Sequence, residues 1–146
     1  MKKIKALLSI VLILFATNEA LSQDKVISKD QLPTTITKYL KDNFPNNKIL
    51  QATVDKELFS KNYEVVLSDG ISVEFDNKNK VKEISSQTYL PENVLPKKIL
   101  NYINSNFKGH KIKQFEYDDN MQKVELDNGV ELEFTLAGDF YKMDLD

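Results

Sequence analysis

The sequence has 146 residues, with 20 basic side chains that are all lysines, 22 acidic side chains, one histidine and no cysteine. The lack of cysteine excludes disulfides, thiolate nucleophiles and Cys-ligated metal centres, and a single histidine excludes a multi-histidine metal site. Without arginine there is no bidentate fork for phosphate or carboxylate groups. We therefore expect a protein that is not an enzyme and needs no cofactor and no metal.

Residues 1–22 have the pattern of a cleaved export signal. Lys2, Lys3 and Lys5 precede an apolar run at residues 6–16, and the small residues around Ala20 and Ser22 suit cleavage before Gln23. That apolar run is too short to cross about 30 Å of hydrocarbon as a helix. No cysteine follows it to carry a lipid anchor. We expect a periplasmic or secreted protein, not a lipoprotein, that has no contact with the membrane once the signal is removed.

The charge balance of the exported part narrows the choice of partner. Removing residues 1–22 takes away three Lys and Glu19, leaving 17 basic and 21 acidic residues and a net charge of −4. Nucleic acids and anionic membrane surfaces both require a basic footprint. A protein partner is therefore expected, while the oligomeric state stays open.

The exported part reads as a duplication. Residues 31–44 align with 94–107 at an offset of 63, and residues 69–75 align with 128–134 at an offset of 59. Leu32-Pro33 recurs as Leu95-Pro96 in this alignment. The predicted organisation is a signal peptide (1–22), an N-terminal lead (23–28), a first repeat (29–86), a linker (87–93) and a second repeat (94–146).

Each repeat predicts one helix followed by strands. Apolar residues recur at helical spacing over 32–44 and 95–107, with a proline suited to the first helical turn. The alternation that follows predicts strands near 48–56, 61–68, 71–76 and 80–86, then near 110–117, 121–127, 130–135 and 139–144. The predicted fold is α+β, a tandem repeat of one helix followed by a three- or four-stranded antiparallel sheet.

The turn at residues 68–70 fixes one strand register. A three-residue loop places the apolar residues of both strands on one face, whereas a two-residue turn places them on opposite faces. The expected pairs are Leu67–Ile71, Val65–Val73 and Tyr63–Phe75, and in the second repeat Leu126–Val130 and Val124–Leu132. We expect a type I turn with Gly70 and Gly129 in the left-handed region.

The same register places acidic residues on the opposite face. Glu64 then lies opposite Glu74, Glu125 opposite Glu131, and Lys123 opposite Glu133, with Glu116, Asp118 and Asp119 nearby in sequence. The candidate binding residues are Glu64, Glu74, Glu125, Glu131 and Glu133, together with Tyr89 as the aromatic most exposed between the repeats. Three interpretations stay open: a solvated face, a docking face for a basic protein, and a site for a small ligand or cation on this face or in the groove between the repeats.

Catalytic interpretations are weaker. Paired carboxylates are typical of glycoside hydrolases, but those enzymes need a cleft and a desolvated acid, which an outward strand face lacks. Any Ser–His scheme would depend on His110, at the end of a predicted helix. The spacing of residues 76–81 does not fit a calcium-binding EF-hand loop, because its sixth position is not glycine.

The repeated blocks resemble a known family. Leu32-Pro33, Tyr39-Leu40 and Asn43-Phe44-Pro45, followed by Asp69-Gly70 and Val73-Glu74-Phe75, are similar to the PepSY-like domains of secreted Bacteroidetes-type proteins. That family is described as similar in fold to the beta-lactamase inhibitor protein. The resemblance implies a helix-plus-sheet fold, export, and a binding or inhibitory role, with no catalytic residues to carry over. It does not imply inhibition of beta-lactamases, because shared folds do not imply shared targets.

Overall fold

The computed structural model describes residues 24–57 and 60–145, which form two α-helices, three single-turn 3-10 helices and nine strands. The predicted export signal at residues 1–22 lies outside the described residues. In chain order the elements are β1 (Lys25–Ile27), α1 (Thr34–Asn43), β2 (Ile49–Glu57), β3 (Ser60–Leu67), β4 (Ile71–Phe75), β5 (Val81–Ser86), α2 (Lys97–Asn106), β6 (Ile112–Tyr117), β7 (Met121–Leu126), β8 (Val130–Thr135) and β9 (Phe140–Leu145).

All nine strands belong to one antiparallel sheet whose spatial order is the chain order, β1 to β9. The α+β prediction is confirmed, but the strands after α1 and those after α2 do not form separate sheets. Strand β5 pairs with β6, so that Ile84 lies opposite Phe115. Both sets of strands thus share one continuous surface.

The two helices begin and end alike. Pro33 and Pro96 are the N-cap residues, one position before the first helical turn in which we expected them. At the other end, the Asn43 Nδ2 group donates to the carbonyl oxygen of Tyr39, and the Asn106 Nδ2 group donates to that of Tyr102, both at 2.9 Å. In both helices this side-chain bond reaches back to a carbonyl oxygen of the last turn, so the two helix ends have the same arrangement.

Both helices cover the same face of the sheet, which we call the inner face. Ile36 and Leu40 of α1 and Ile99 and Ile103 of α2 are buried in one hydrophobic cluster with inner-face residues of the strands. The largest fully buried side chains of that cluster are Phe75, Phe115 and Phe134. A buried apolar face of this extent is the main stabilising contribution to such a fold.

The predicted register is confirmed in both hairpins. Val65 lies opposite Val73 and Tyr63 opposite Phe75, and Val124 lies opposite Leu132. Gly70 has a φ of 69° and Gly129 a φ of 81°, as the three-residue loops require. The predicted type I turn is wrong in the first loop, because Asp69 also has a positive φ of 65°.

Strand β1 was not predicted from the sequence. It lies within the expected lead at residues 23–28 and pairs with β2, so that Val26 faces Thr53. A three-residue strand carries too little alternation to be recognised by its pattern. No helix in residues 24–57 or 60–145 is long and apolar enough to cross a membrane.

Candidate binding surface

The face of the sheet opposite the helices, which we call the outer face, carries a continuous transverse row of side chains. Each residue of the row lies directly opposite the next, one from each strand. In order from β1 to β9 they are Val26, Thr53, Glu64, Glu74, Glu83, Glu116, Lys123, Glu133 and Lys142. Four adjacent strands at the centre of the sheet thus each contribute a glutamate. We call Glu64, Glu74, Glu83 and Glu116 the glutamate row.

The glutamate row concentrates like charge. Directly opposite residues on neighbouring strands have Cβ atoms about 4.5–5.5 Å apart, and like charges at that spacing are unfavourable. The pKa of Glu83 is raised, first by burial and then by the charges of Glu74 and Glu116. The row therefore holds negative charge at a cost that a bound cationic group would reduce.

Three side chains beside the row compensate part of its charge, and one of them, Lys123, lies directly opposite Glu116. The Lys82 Nζ atom lies 3.8 Å from the Glu74 carboxylate, and the positive charge of Lys82 lowers the pKa of Glu83. The Ser72 hydroxyl donates to Glu64 at 3.0 Å. Beside these side chains the outer face has a shallow depression of about 350 Å³ lined by Glu64, Glu74 and Glu83. The carboxylates of Glu64, Glu74 and Glu83 therefore border a depression that a group from solvent can enter.

A second acidic group lies toward the β9 edge of the same face. The carboxylate oxygens of Glu131, Glu133 and Asp144 lie within 4.8 Å of one another, and we call these three residues the β8–β9 cluster. Carboxylates at this spacing could supply oxygen ligands to a hard cation such as Ca²⁺. Glu125 extends the group, because it lies directly opposite Glu131.

Lys142 already neutralises part of the β8–β9 cluster. Its Nζ atom lies 2.7 Å from Asp144 and 3.2 Å from Glu133. Hydrogen bonds to those two carboxylates raise the pKa of Lys142. A cation entering the cluster would therefore compete with the Lys142 ammonium group for the same oxygens.

The structure brings the five predicted glutamates onto one face. Glu64 lies opposite Glu74, Glu125 opposite Glu131, and Glu133 opposite Lys123, as expected. Tyr89 does not lie on a strand of this face but in the connection between β5 and α2. It is 54% exposed and the Lys113 Nζ atom lies 6.0 Å from the centre of its ring. Tyr141 on β9, at 64%, is a more exposed aromatic that sequence reasoning did not select.

Residues near the predicted face take other roles. The Asp118 carboxylate caps the turn between β6 and β7, accepting from the backbone N–H groups of Asn120 and Met121 at 2.7 and 2.8 Å. These bonds hold the pKa of Asp118 below its usual range. Asp118 thus stabilises the turn between β6 and β7. Glu116, by contrast, belongs to the glutamate row, and Glu83 was missed because no sequence signal pairs β5 with β6.

His110 has a structural role in the described residues. Its Nδ1 atom lies 2.9 Å from the Asp127 carboxylate and its Nε2 atom lies 3.4 Å from the Asn128 side-chain nitrogen. The hydrogen bond from His110 lowers the pKa of Asp127. Since Asp127 and Asn128 form the loop between β7 and β8, these contacts tie the exit of α2 to that loop.

A groove of about 1010 Å³ lies where residues of both predicted repeats meet. Tyr39 of α1 and Tyr117 of β6 line it, together with the loop at residues 76–80. Burial, with a further contribution from Tyr117, raises the pKa of Tyr39 to about 12, so its phenol stays protonated. Within the described residues, this groove is one location where a small ligand could bind between the two halves.

Comparison with known proteins gives one family and several solved structures. A family model described as PepSY-like and, provisionally, beta-lactamase-inhibitor-like matches residues 18–60 and 61–142. A Bacteroides thetaiotaomicron protein, provisionally described as a calcium-regulated periplasmic protein, is 30% identical with a TM-score of 0.78, covering 83% of this chain and 96% of its own. No curated protein matches the chain.

Two Bacteroides vulgatus structures are also similar. One, provisionally described as a periplasmic protein of the DUF2874 family, is 32% identical with a TM-score of 0.76 and covers 83% of this chain and 96% of its own. The other, provisionally described as a periplasmic protein of unknown function, is 30% identical with a TM-score of 0.76 and covers 84% of this chain and 99% of its own. All three of these similar structures are described as periplasmic proteins.

Proposed function

Since the chain belongs to the PepSY-like, beta-lactamase-inhibitor-like family, we propose that it is an exported, non-enzymatic binding module that docks a basic protein on its outer face. The two helix-and-strand halves would be copies of one unit. The periplasm or the exterior is its proposed location, supported by the signal-like residues 1–22 and by the periplasmic descriptions of the similar structures. An envelope or secreted protein such as a peptidase is the kind of partner that this location offers, and inhibition or regulation is the kind of effect.

The observation that supports this proposal is the glutamate row. Four like charges occupy neighbouring strands at the centre of one face. Neighbouring strands lie about 4.8 Å apart, so the row extends over roughly 14 Å. Positive charge supplied by a partner would reduce the repulsion between the glutamates of the row. Complementary charges across an interface also speed association and disfavour wrong partners.

The spacing of the row defines the partner further. A helix advances about 5.4 Å per turn, close to the distance between strands. A partner helix lying across the strands with lysine or arginine once per turn would place one cationic side chain near each glutamate. Because the row is solvent-accessible, salt would weaken the complex.

A paired substitution experiment tests this proposal. In the row variant, Glu64, Glu74, Glu83 and Glu116 are all replaced by Gln. In the control variant, Asp30, Asp42, Glu92 and Asp139, all exposed acids away from the glutamate row, are replaced by the matching amides. Both variants change the net charge equally. Each is used as bait, beside the wild type, in a pull-down from the envelope fraction of the native host.

The comparison separates a docking face from a solvated face. We expect a partner that the wild type and the control variant capture, that elutes as salt is raised, and that the row variant loses. Capture of the same partner by the row variant would contradict the proposal. Circular dichroism of all three proteins verifies that loss of binding does not reflect loss of fold.

Cation binding in the β8–β9 cluster is a second candidate. It is favoured by the proximity of the Glu131, Glu133 and Asp144 carboxylates and by the description of the similar Bacteroides thetaiotaomicron protein as calcium-regulated. Lys142 supplies the test, because Lys142→Met removes the competing ammonium group. Calorimetric titration with Ca²⁺ should show tighter binding to Lys142→Met than to the wild type and weaker binding to Glu133→Gln. Equal Ca²⁺ affinity in all three proteins would refute this site.

A further inference from the structure

Strand β9 forms one edge of the sheet and is exposed along its whole length. All six of its residues are exposed, including the apolar side chains of Tyr141 (64%), Met143 (45%) and Leu145 (73%). In an antiparallel ladder alternate residues direct their N–H and C=O groups toward each neighbouring strand. Strand β9 has a neighbour on one side only, β8, within the described residues. Its other side presents backbone groups that a further strand could bind.

The opposite edge is different. Strand β1 has three residues against the six of β9. A very short edge strand is a common protection against pairing with another chain, and a longer edge strand with exposed apolar side chains is a site where such pairing occurs. The two edges therefore differ in what they can bind, and β9 is the one suited to strand addition.

We propose that β9 pairs antiparallel with β9 of a second copy of the chain, about a two-fold axis that passes beside Met143. Such an arrangement makes each contact twice, as symmetric dimers do. It places Met143 opposite Met143 of the second copy and Lys142 opposite Asp144 of the second copy. Leu145 then lies opposite Tyr141 of the second copy, so exposed apolar side chains cover each other.

The charges of β9 support this register. Lys142 and Asp144 lie on the outer face, one residue on either side of Met143, opposite Glu133 and Glu131 of β8. A two-fold axis at Met143 therefore brings each lysine to an aspartate of the other copy. Opposite charges directly across a strand pair are stabilising, and like charges are destabilising. A shift of the axis by one residue, to Lys142 or Asp144, would place like charges opposite each other.

The dimer would also compensate the β8–β9 cluster. Glu125, Glu131 and Asp144 form a run of three acids across adjacent strands. In the proposed pair, Lys142 of the second copy continues that run directly beyond Asp144. The ammonium group of that lysine would lie beside the Asp144 carboxylate, just beyond the last strand of the first chain.

Cysteine substitution tests the two-fold axis. The chain has no cysteine, so Met143→Cys introduces a single thiol. Hydrogen-bonded residues opposite each other in an antiparallel pair have Cα atoms about 5.5 Å apart, within the range of about 4.4–6.8 Å that a disulfide requires. With oxidised glutathione as the oxidant, we expect full-chain Met143→Cys to form a disulfide-linked dimer. Val26→Cys, an exposed position on β1, is the matched control and should give no disulfide-linked dimer, because the proposed pairing leaves β1 outside the interface. Equal yields of dimer from both variants would contradict the proposal.

Charge exchange tests the register in solution. Lys142→Asp alone makes two aspartates face each other, and Asp144→Lys alone makes two lysines face each other. We expect light scattering to show a concentration-dependent dimer for the wild type and a monomer for each variant alone. A mixture of the two variants restores both opposite-charge pairs and should recover the dimer mass, which also shows that each variant is folded. A monomeric wild type, or variants that dimerise unmixed as the wild type does, would overturn the proposal.

Discussion

Glu83 on β5 lies directly opposite Glu116 on β6, across the one strand pair that joins the strands following α1 to those following α2. This pair makes the glutamate row continuous. Without it, the strands after α1 would present three adjacent glutamates, and Glu116 would stand apart from them on β6. The central feature of the outer face therefore depends on the two halves sharing one sheet.

The first prediction concerns Glu83→Gln. Removing one charge from the glutamate row should raise the free energy of unfolding by a few tenths of a kcal/mol at neutral pH, because like-charge pairs across strands are unfavourable. The pKa of Glu83 is raised in the folded protein. The folded state therefore binds the proton more tightly than the unfolded state, and the wild type loses stability as pH rises from the ordinary glutamate pKa through the raised one.

Thermal unfolding across that pH range provides the measurement. The melting temperature of Glu83→Gln should exceed that of the wild type at neutral pH, and the difference should shrink on acidification. Glu92→Gln, an exposed glutamate after β5, is the control and should follow the wild type. A melting-temperature difference that grows on acidification would show that the charge of Glu83 does not destabilise the folded wild type.

The second prediction concerns cooperativity. Phe115 is fully buried beside Ile84, where β5 meets β6. Phe115→Ala should lower the free energy of unfolding by about 3–5 kcal/mol, since truncating a core aromatic loses its transfer energy and leaves a cavity. Because both helices pack in the same hydrophobic cluster, urea unfolding should show one transition for the whole chain. The exposed Leu50→Ala should change stability by less than about 0.5 kcal/mol. Two resolved transitions in the wild type would contradict a shared core.

The third prediction compares the two hairpin glycines. Both have a positive φ, 69° at Gly70 and 81° at Gly129, so alanine is strained at either position. A Cβ atom on Gly70 would also lie 3.0 Å from the Cβ of Gln87, whereas one on Gly129 meets nothing within 4 Å. Gly70→Ala should therefore be more destabilising than Gly129→Ala by about 1 kcal/mol, measured by urea unfolding. Equal losses would mean that Gln87 moves aside without cost.

Local features of the fold were readable from the sequence. The register that pairs Glu64 with Glu74 and Glu125 with Glu131 follows from a three-residue loop and the alternation beside it, because a one-residue slip would expose the apolar set. The positive φ of Gly70 and Gly129 follows from the same loops. Within each hairpin the interacting residues are close in sequence, so that the pattern alone decides the pairing.

Long-range features were not readable. The pairing of Glu83 with Glu116 joins strands that are separated in sequence by all of α2, and neither strand carries a turn signal that specifies the other. Strand β9 was predicted, but a register shift between Glu133 and Phe134 changes which residues of β8 and β9 lie opposite each other. The sequence pattern therefore did not indicate that Asp144 lies opposite Glu131. The positions of Glu83 and Glu116 in the glutamate row, and the β8–β9 cluster, could therefore be recognised only from the three-dimensional structure.

Zero-length crosslinking tests the docking proposal most directly. A carbodiimide joins a carboxylate to a lysine of a bound partner with loss of water, and mass spectrometry then identifies the coupled residues. In the complex captured from the envelope fraction, we predict intermolecular crosslinks at Glu64, Glu74, Glu83 or Glu116. Crosslinks confined to acids outside the glutamate row, such as Asp42 of α1 or Glu92, would contradict the assignment of the outer face as the binding surface.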